Sequence, residues 1–216
     1  MTFEERLGNL LVGDAELDCL AEVVRSGRLF RYHRAFDGSS SFADRLERAV
    51  AERLDVPHVV AQSSATACLQ SALIAVGVTP GDYVAVPAYS FLGTATCVLG
   101  VGAIPLFVDV DDTYGLCPQA LKEALNPRVK AVLAASLQGG PCRMRELRAV
   151  CDQALVPLIE DAAQGFGARL GGHHVGTLGD VGVFSLQANK RNVSTSLRQP
   201  VHEFYVGFSE SSSAAG

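Results

Sequence analysis

The sequence lacks several features that would place it in a specialised class of protein. It has no excess of basic residues, because 18 Lys and Arg against 23 Asp and Glu leave a formal net charge of −5 at pH 7. This balance argues against nucleic acid and against an anionic membrane surface as partners. No apolar run reaches the length of a membrane span, and the N-terminus, Met1 to Arg6, lacks the apolar core of a signal peptide. We therefore expect a cytoplasmic protein.

The cysteines and histidines lack the clustered spacing of a metal site or a disulfide framework. None of the six cysteines belongs to a C-x-x-C pair, and they are spread along the chain. They are typical of free thiols in a reducing compartment. His173 and His174 follow two glycines, a pattern that favours a β-turn, and no third or fourth ligand is evident beside them. The sequence therefore predicts no metal.

The apolar residues are abundant and regularly spaced. Hydrophobic residues make up 48% of the chain and charged residues 19%, which is enough apolar material to bury a core. Two helices are predicted first, one opened by Asp14 and stopped by Gly27 and one opened by Ser41. Short apolar runs then alternate with amphipathic stretches, which predicts an α/β fold with a mostly parallel sheet sandwiched by helices. The predicted strands are 58–61, 83–86, 104–108, 131–134, 157–159 and 181–184, and the predicted helices between them are 66–76, 91–99, 118–125 and 143–154.

Polar or turn residues stand where these strands are predicted to end. In parallel α/β sheets the ligand binds at the carboxyl ends of the strands. The residues at or just beyond those ends are Ser63, Pro87, Asp109, Asp161 and Ser185. Their convergence predicts a site at this edge of the sheet.

Two segments at strand-to-helix turns have both a structural and a functional interpretation. Ser63, Ser64, Ala65 and Thr66 precede a helix, where backbone amides and the helix dipole favour an anion such as a phosphate. The same residues are also typical of an ordinary helix N-cap. Phe91 follows another strand and could stack on a ligand ring or belong to the core.

An acid, a serine and a lysine follow in an order that suits pyridoxal 5'-phosphate (PLP). Asp161 ends an apolar strand and could hold a pyridine nitrogen protonated, or it could cap the residues that follow. Glu160 should face the opposite side of the sheet, since neighbouring strand residues alternate. Lys190 comes five residues after Ser185 and could carry the cofactor as a Schiff base and move the proton. A lone lysine is otherwise typical of a solvated surface.

Several segments in the right order resemble one family. They include Pro87-Ala88-Tyr89-Ser90-Phe91 and Glu160-Asp161-Ala162-Ala163-Gln164, and the others are 26–32, 63–67, 78–84, 102–111, 176–180 and 184–190. From about Leu10 to Lys190 the chain resembles the DegT/DnrJ/StrS family of PLP-dependent sugar aminotransferases. The resemblance implies the large domain of the PLP transferase fold type I.

The resemblance also implies roles for individual residues. Ala65 and Thr66 match the phosphate-binding Gly-Thr of the family, where the methyl of alanine either crowds the phosphate or fits if the local φ is negative. The remaining matches are Phe91 as the ring-stacking aromatic, Asp161 as the partner of the pyridine nitrogen, Gln164 beside the ring hydroxyl, Ser185 as a phosphate ligand and Lys190 as the cofactor lysine.

The activity that the resemblance implies is aminosugar biosynthesis by amino transfer. Glutamate or glutamine would donate the amino group to a keto-sugar or keto-cyclitol, and the complete enzyme would be a homodimer. A lysine at 190, where some relatives carry histidine and act as dehydratases, favours transamination. Another PLP reaction on the same fold, such as dehydration, stays an alternative.

The likeness ends at Lys190. The family has a Gly-Glu-Gly-Gly-like segment soon after the lysine, whereas residues 191–200 of this chain differ from it. We therefore expect residues 1–190 to form an incomplete PLP-binding large domain, the small C-terminal domain to be absent, and residues 191–216 to be a non-matching, disordered tail. An inactive, truncated remnant of such an enzyme is the second alternative.

Overall fold

A computed structural model describes residues 13–27, 29, 41–186 and the backbone of 204–208. Lys190 lies outside the described residues. Two helices precede the sheet, α1 over Asp14–Ser26 and α2 over Phe42–Leu54. Both were predicted, although Asp14 is the first helical residue of α1 and Gly13 takes the capping position. The hydroxyl of Ser41 accepts a hydrogen bond from the amide of Asp44 at 3.1 Å, which starts α2 as expected.

Strands and helices then alternate along the chain. The strands are β1 (His58–Gln62), β2 (Tyr83–Pro87), β3 (Ile104–Val108), β4 (Val129–Ala135), β5 (Leu158–Ala162), β6 (Arg169–Leu170), β7 (His173–His174), β8 (Val181–Ser185) and β9 (Phe204–Phe208). The helices between them are α3 (Ala65–Ala75), α4 (Leu92–Gly100), α5 (Pro118–Ala124) and α6 (Met144–Ala154). Within the described ranges, none of the helices is both long and apolar enough to pass through a membrane.

The main sheet has seven strands in the order β1-β9-β8-β5-β4-β2-β3. The pairs of β2 with β3, β2 with β4, β4 with β5 and β5 with β8 are parallel, whereas β9 runs antiparallel to both of its neighbours. The predicted α/β class and the mostly parallel sheet are confirmed. A separate two-stranded hairpin pairs β6 with β7 and places His173 and His174 directly after the predicted turn.

Strand β9 corrects one expectation. Residues 191–216 were expected to be a disordered tail, but Phe204–Phe208 forms a strand inserted between β1 and β8. The expectation of disorder is therefore wrong for these five residues. The physical reason is that the backbone of an extended segment can pair with two open strand edges whatever family its sequence resembles.

Helices cover both faces of the sheet because strand residues alternate between two cores. On β4, Ala131 and Leu133 pack with residues of α3 and α4 such as Leu73, whereas Val132 and Ala134 pack with α5 and α6. Both sets are buried, so the strand is a continuous apolar run rather than an alternating one. This double cover leaves the ends of the strands as the accessible parts of the sheet.

Candidate active site

A cavity of about 200 Å³ lies at the carboxyl ends of β1, β2, β4, β5 and β8. Six of the predicted site residues line it: Ala65, Thr66, Phe91, Asp161, Gln164 and Ser185. They come from four different loops or strand ends, which meet because parallel strands point the same way. Asp109 also follows a strand end, but β3 is the edge strand and Asp109 does not line the cavity.

The start of helix α3 forms one wall. Ser64 is extended, and its hydroxyl accepts a hydrogen bond from the amide of Ala67 at 3.0 Å, so the N-cap interpretation is confirmed for Ser64. The amides of Ala65 and Thr66 lie between Ser64 and Ala67 in the first turn, where the amides of a helix have no backbone acceptors within the helix. Ala65 does not have a positive φ, so its methyl group causes no backbone strain. This wall is suited to an anion.

Asp161 lies near the carboxyl end of β5 and is held by several hydrogen bonds. Its side chain is 7% exposed. The hydroxyl of Thr94 donates a hydrogen bond to its Oδ2 at 2.9 Å, and the amide of Ala163 donates to its Oδ1 at 3.2 Å. Its own carbonyl accepts from the amide of Ser136 at 3.0 Å. Hydrogen bonds to a carboxylate favour its charged form, so the cavity presents a held anionic group.

Glu160 faces the other side of β5, as alternation along a strand predicts. It is 1% exposed and accepts hydrogen bonds from the amides of Gly176, Leu178 and Gly179. Burial raises the pKa of Glu160, and the three amide donors oppose that rise. These bonds fasten the turn that leads into β8. Glu160 is therefore a structural neighbour of the site rather than a lining residue.

Asp180 makes a second attachment between the same turn and β5. Its amide donates to the carbonyl of Leu158 at 2.8 Å, and the amide of Leu158 donates back to its carboxylate at 2.7 Å. Arg148 of helix α6 also binds that carboxylate at 2.7 Å. The start of β8 is thereby fixed against β5, and the register that follows places Ser185 just beyond the level of Asp161.

Gln164 is fixed by a loop that the sequence analysis did not connect to it. Its Oε1 accepts a hydrogen bond from the amide of Gln138 at 2.8 Å. Gln138 has a φ of 54°, a conformation that a non-glycine residue adopts rarely. The loop after β4 therefore holds the amide side chain of Gln164 at the cavity wall.

Phe91 stands at the start of α4 and is 61% exposed, so the alternative that it belongs to the core is wrong. Its ring lies over Gly93. A Cβ atom at Gly93 would come within 2.9 Å of two ring carbons and 3.2 Å of the hydroxyl oxygen of Thr66. The absence of a side chain at Gly93 therefore lets the Phe91 ring and the start of α3 approach each other.

The lining or supporting residues that the sequence analysis missed include Gly93, Thr94 and Ser136. Thr94 is 1% exposed in a mostly apolar helix whose other hydroxyl belongs to Thr96, and a hydroxyl three residues after Phe91 was a usable signal. Ser136 directly follows the apolar strand β4 and is 3% exposed. Gly93 gave no local signal, because its importance depends on the neighbouring Phe91 ring and on Thr66.

Comparison with known proteins places these features in one family. The sequence profile described as the DegT/DnrJ/EryC1/StrS aminotransferase family matches residues 16–195. A relative from Streptomyces kanamyceticus, L-glutamine:2-deoxy-scyllo-inosose aminotransferase, is 40% identical over 178 residues, which cover 82% of this chain and 42% of the relative.

Two solved structures show the same architecture. The aminotransferase TlmJ from Streptoalloteichus hindustanus has a TM-score of 0.78 and 35% identity, with 92% of this chain and 51% of that chain covered. NtdA from Bacillus subtilis, solved with the bound cofactor PMP, has a TM-score of 0.79 and 26% identity, with 94% and 43% covered. The chain spans about half the length of the relatives it matches. The match over residues 16–195, together with the strand order and the cavity, assigns this chain to the DegT/DnrJ/EryC1/StrS aminotransferase family.

Proposed function

We propose that this protein acts as a PLP-dependent aminotransferase that moves an amino group from glutamine or glutamate to a keto-cyclitol or keto-sugar. The observation that carries the proposal is the cavity in which a buried carboxylate, Asp161, and the amide-rich start of α3 occur together. The relative named above supports glutamine and a keto-cyclitol in particular. The match covers 42% of that relative, so the relative's activity is a proposal for this chain.

The donor set of the cavity fits PLP. PLP has a basic ring nitrogen at one side and a phosphate at another, and the cavity has a carboxylate and a helix N-terminus. We assign Asp161 to the ring nitrogen and Phe91 to the ring face. Thr66, Ser185 and the first amides of α3 would bind the phosphate.

When bound, PLP withdraws electrons from the carbon that loses a proton, and it carries the amino group between the two substrates. The residues of the chain supply the remaining functions. Asp161 would hold the proton on the ring nitrogen through its charge. Gln164, whose side chain is fixed by the amide of Gln138, would bind the ring hydroxyl.

Lys190 is the best candidate for the lysine that holds the cofactor. The chain contains three lysines, Lys122, Lys130 and Lys190. Lys122 lies in α5, and Lys130 is exposed at the amino-terminal part of β4, away from the carboxyl ends that form the cavity. Lys190 follows Ser185 by five residues, and a chain of that length spans at most about 18 Å.

The remaining parts of the proposal rest on the family resemblance. They are a PLP-binding large domain over residues 1–190 and a homodimer in the complete enzyme. A location in the cytoplasm is proposed from the composition of the chain instead. The described residues that line the cavity lie between Ser64 and Ser185, which supports the proposed domain.

The activity is tested with the purified full chain, PLP, a keto-cyclitol and glutamine labelled at its α-amino nitrogen. We expect the label to appear in an aminocyclitol, detected by mass spectrometry. Glutamine labelled only at the side-chain amide is the control and should transfer nothing. Bound PLP without any transfer would favour another PLP reaction on this fold, and failure to bind PLP would favour an inactive remnant.

Gly93 gives a prediction about the cavity wall. In Gly93→Ala the new methyl group would displace the exposed Phe91 ring, since two ring carbons lie within 2.9 Å of its position. We expect PLP to bind about three- to tenfold more weakly, because that change in affinity corresponds to the loss of one aromatic stacking contact. The free energy of unfolding should change by less than about 1 kcal/mol, because alanine favours the helix. Titration of PLP followed by its absorption measures the effect.

Gly100→Ala is the matched control. It makes the same change at the other end of α4, where the new methyl group would meet only the flexible end of Gln70. PLP affinity should stay at the wild-type value. Equal affinities in both variants would contradict the assignment of Phe91 to the ring face.

A further inference from the structure

Thr94 connects the candidate site to the helix that carries its aromatic wall. It lies in the first turn of α4, is 1% exposed, and its hydroxyl donates to Oδ2 of Asp161 at 2.9 Å. A hydroxyl has one proton to donate. The Oγ of Ser90 lies 2.8 Å from the Oγ1 of Thr94, and because the Thr94 proton is directed to Asp161, Ser90 must be the donor in this second bond. The bonds therefore run in one direction, from Ser90 through Thr94 to Asp161.

This chain of hydrogen bonds joins two functions of the cavity. Ser90 immediately precedes Phe91, so one end of the chain lies beside the proposed ring-stacking residue. The other end holds the carboxylate proposed for the ring nitrogen. Consecutive hydrogen bonds in a low-dielectric interior polarise one another, so the bond from Ser90 strengthens the donor character of Thr94.

We propose that Thr94 is a positioning residue that fixes the orientation of the Asp161 carboxylate and stabilises its charge for the ring nitrogen of the cofactor. The inference rests on the proposed function and goes beyond it, because Thr94 itself does not line the cavity. The amide of Ala163 holds the other oxygen at 3.2 Å. With both oxygens bonded, rotation of the carboxylate would break a bond to Thr94 or to Ala163.

Among the described residues, few other groups near Asp161 would titrate together with it. Cys97, one turn further along α4, interacts with its charge, but burial together with that charge raises the pKa of the Cys97 thiol to about 12. Glu160 faces the opposite side of β5. The position of Lys190 lies outside the described residues, so the tests compare variants that all retain Lys190.

The test is the pH at which the holoenzyme loses PLP on acidification, measured by the absorption of bound PLP. Thr94→Val keeps the shape of the side chain and removes the donor, so protonation of Asp161 should become easier. A hydrogen bond to a charged group corresponds to about one to two pH units. We expect the midpoint of PLP loss in Thr94→Val to move upward by at least about one unit, and Thr94→Ser to restore the wild-type midpoint.

Two further variants make the test specific. Thr96→Val makes the same substitution two residues later in α4 and should leave the midpoint unchanged. Ser90→Ala removes only the second bond and should move the midpoint in the same direction by a smaller amount, which keeps the inference testable if Thr94→Val does not fold. Unfolding curves for each variant establish that the folded protein is being compared.

The outcomes separate the inference from the proposed function. If the wild-type protein binds no PLP, both fail. If the wild-type protein binds PLP and the midpoints of Thr94→Val and Ser90→Ala equal that of Thr96→Val, only the role of Thr94 fails. A loss of PLP affinity in Thr94→Val that is constant across pH, without rescue by Thr94→Ser, would also overturn it.

Discussion

Replacing Lys190 with alanine is expected to abolish covalent attachment of PLP to the chain. The chain offers two other lysines, but Lys122 lies in α5 and Lys130 near the amino-terminal end of β4, whereas the cavity lies at the carboxyl ends of the strands. An amine that forms the link and then moves the proton contributes as nucleophile and as acid–base group. Amino transfer should therefore fall by about 10⁴-fold or more.

The attachment can be measured without any assay of activity. The full chain is incubated with PLP and treated with borohydride, which makes the linkage permanent, and its peptides are mapped by mass spectrometry. The wild-type protein should carry one pyridoxyl phosphate group on the peptide that contains Lys190. Lys130→Ala is the matched control and should be labelled like the wild-type protein. Label on Lys122 or Lys130 in the Lys190→Ala protein, at the wild-type level, would contradict the assignment.

Replacing Glu160 with alanine is expected to lower the free energy of unfolding by about 3–5 kcal/mol. The substitution would leave two buried amides, those of Gly176 and Gly179, and the partly buried amide of Leu178 without their acceptor. Each unsatisfied buried donor costs about 1–3 kcal/mol, and part of that cost is relieved if the turn moves toward water. Urea unfolding followed by circular dichroism measures the change.

Two other variants define the origin of the effect. Glu160→Gln keeps one carbonyl oxygen, which can still serve the amides of Leu178 and Gly179, but its NH2 group would face Gly176. Its loss of stability should be about half that of Glu160→Ala. Glu146→Ala removes an exposed carboxylate from α6 and should cost less than about 0.5 kcal/mol. If Glu160→Ala were as stable as Glu146→Ala, the bonds to the turn would not be stabilising the sheet.

The sequence indicated the two residues of these predictions, Lys190 and Glu160, to different degrees. Lys190 follows from residue order and from the resemblance. The orientation of Glu160 toward the side of the sheet opposite to Asp161 follows from strand alternation, which the structure confirms. Its three amide partners did not follow, because they lie 16 to 19 residues further along and meet Glu160 only when β8 pairs with β5.

The type and order of the elements were accessible because they depend on local periodicity. Apolar runs with intervening amphipathic stretches predicted the helices and six of the seven strands of the main sheet within a few positions, and Ser41 and Gly27 were correct as helix boundaries. The short strands β6 and β7 were not predicted, because only a turn was expected there. The strand ends were predicted well enough to identify Asp161 and Ser185 as site candidates. Strand β9 was missed because the segment around it was judged by its lack of family resemblance and not by its capacity to pair.

The sequence by itself therefore determined the α/β class, the family and the polar residues at the strand ends, since each of these is encoded in neighbouring residues or in a linear pattern. Only the tertiary structure decided which strand ends meet. The order β8-β5-β4-β2 brings loops from distant parts of the chain around one cavity. The bond from Thr94 to Asp161 joins residues 67 positions apart, and no local pattern specifies such a contact because it exists only after the sheet has ordered both elements.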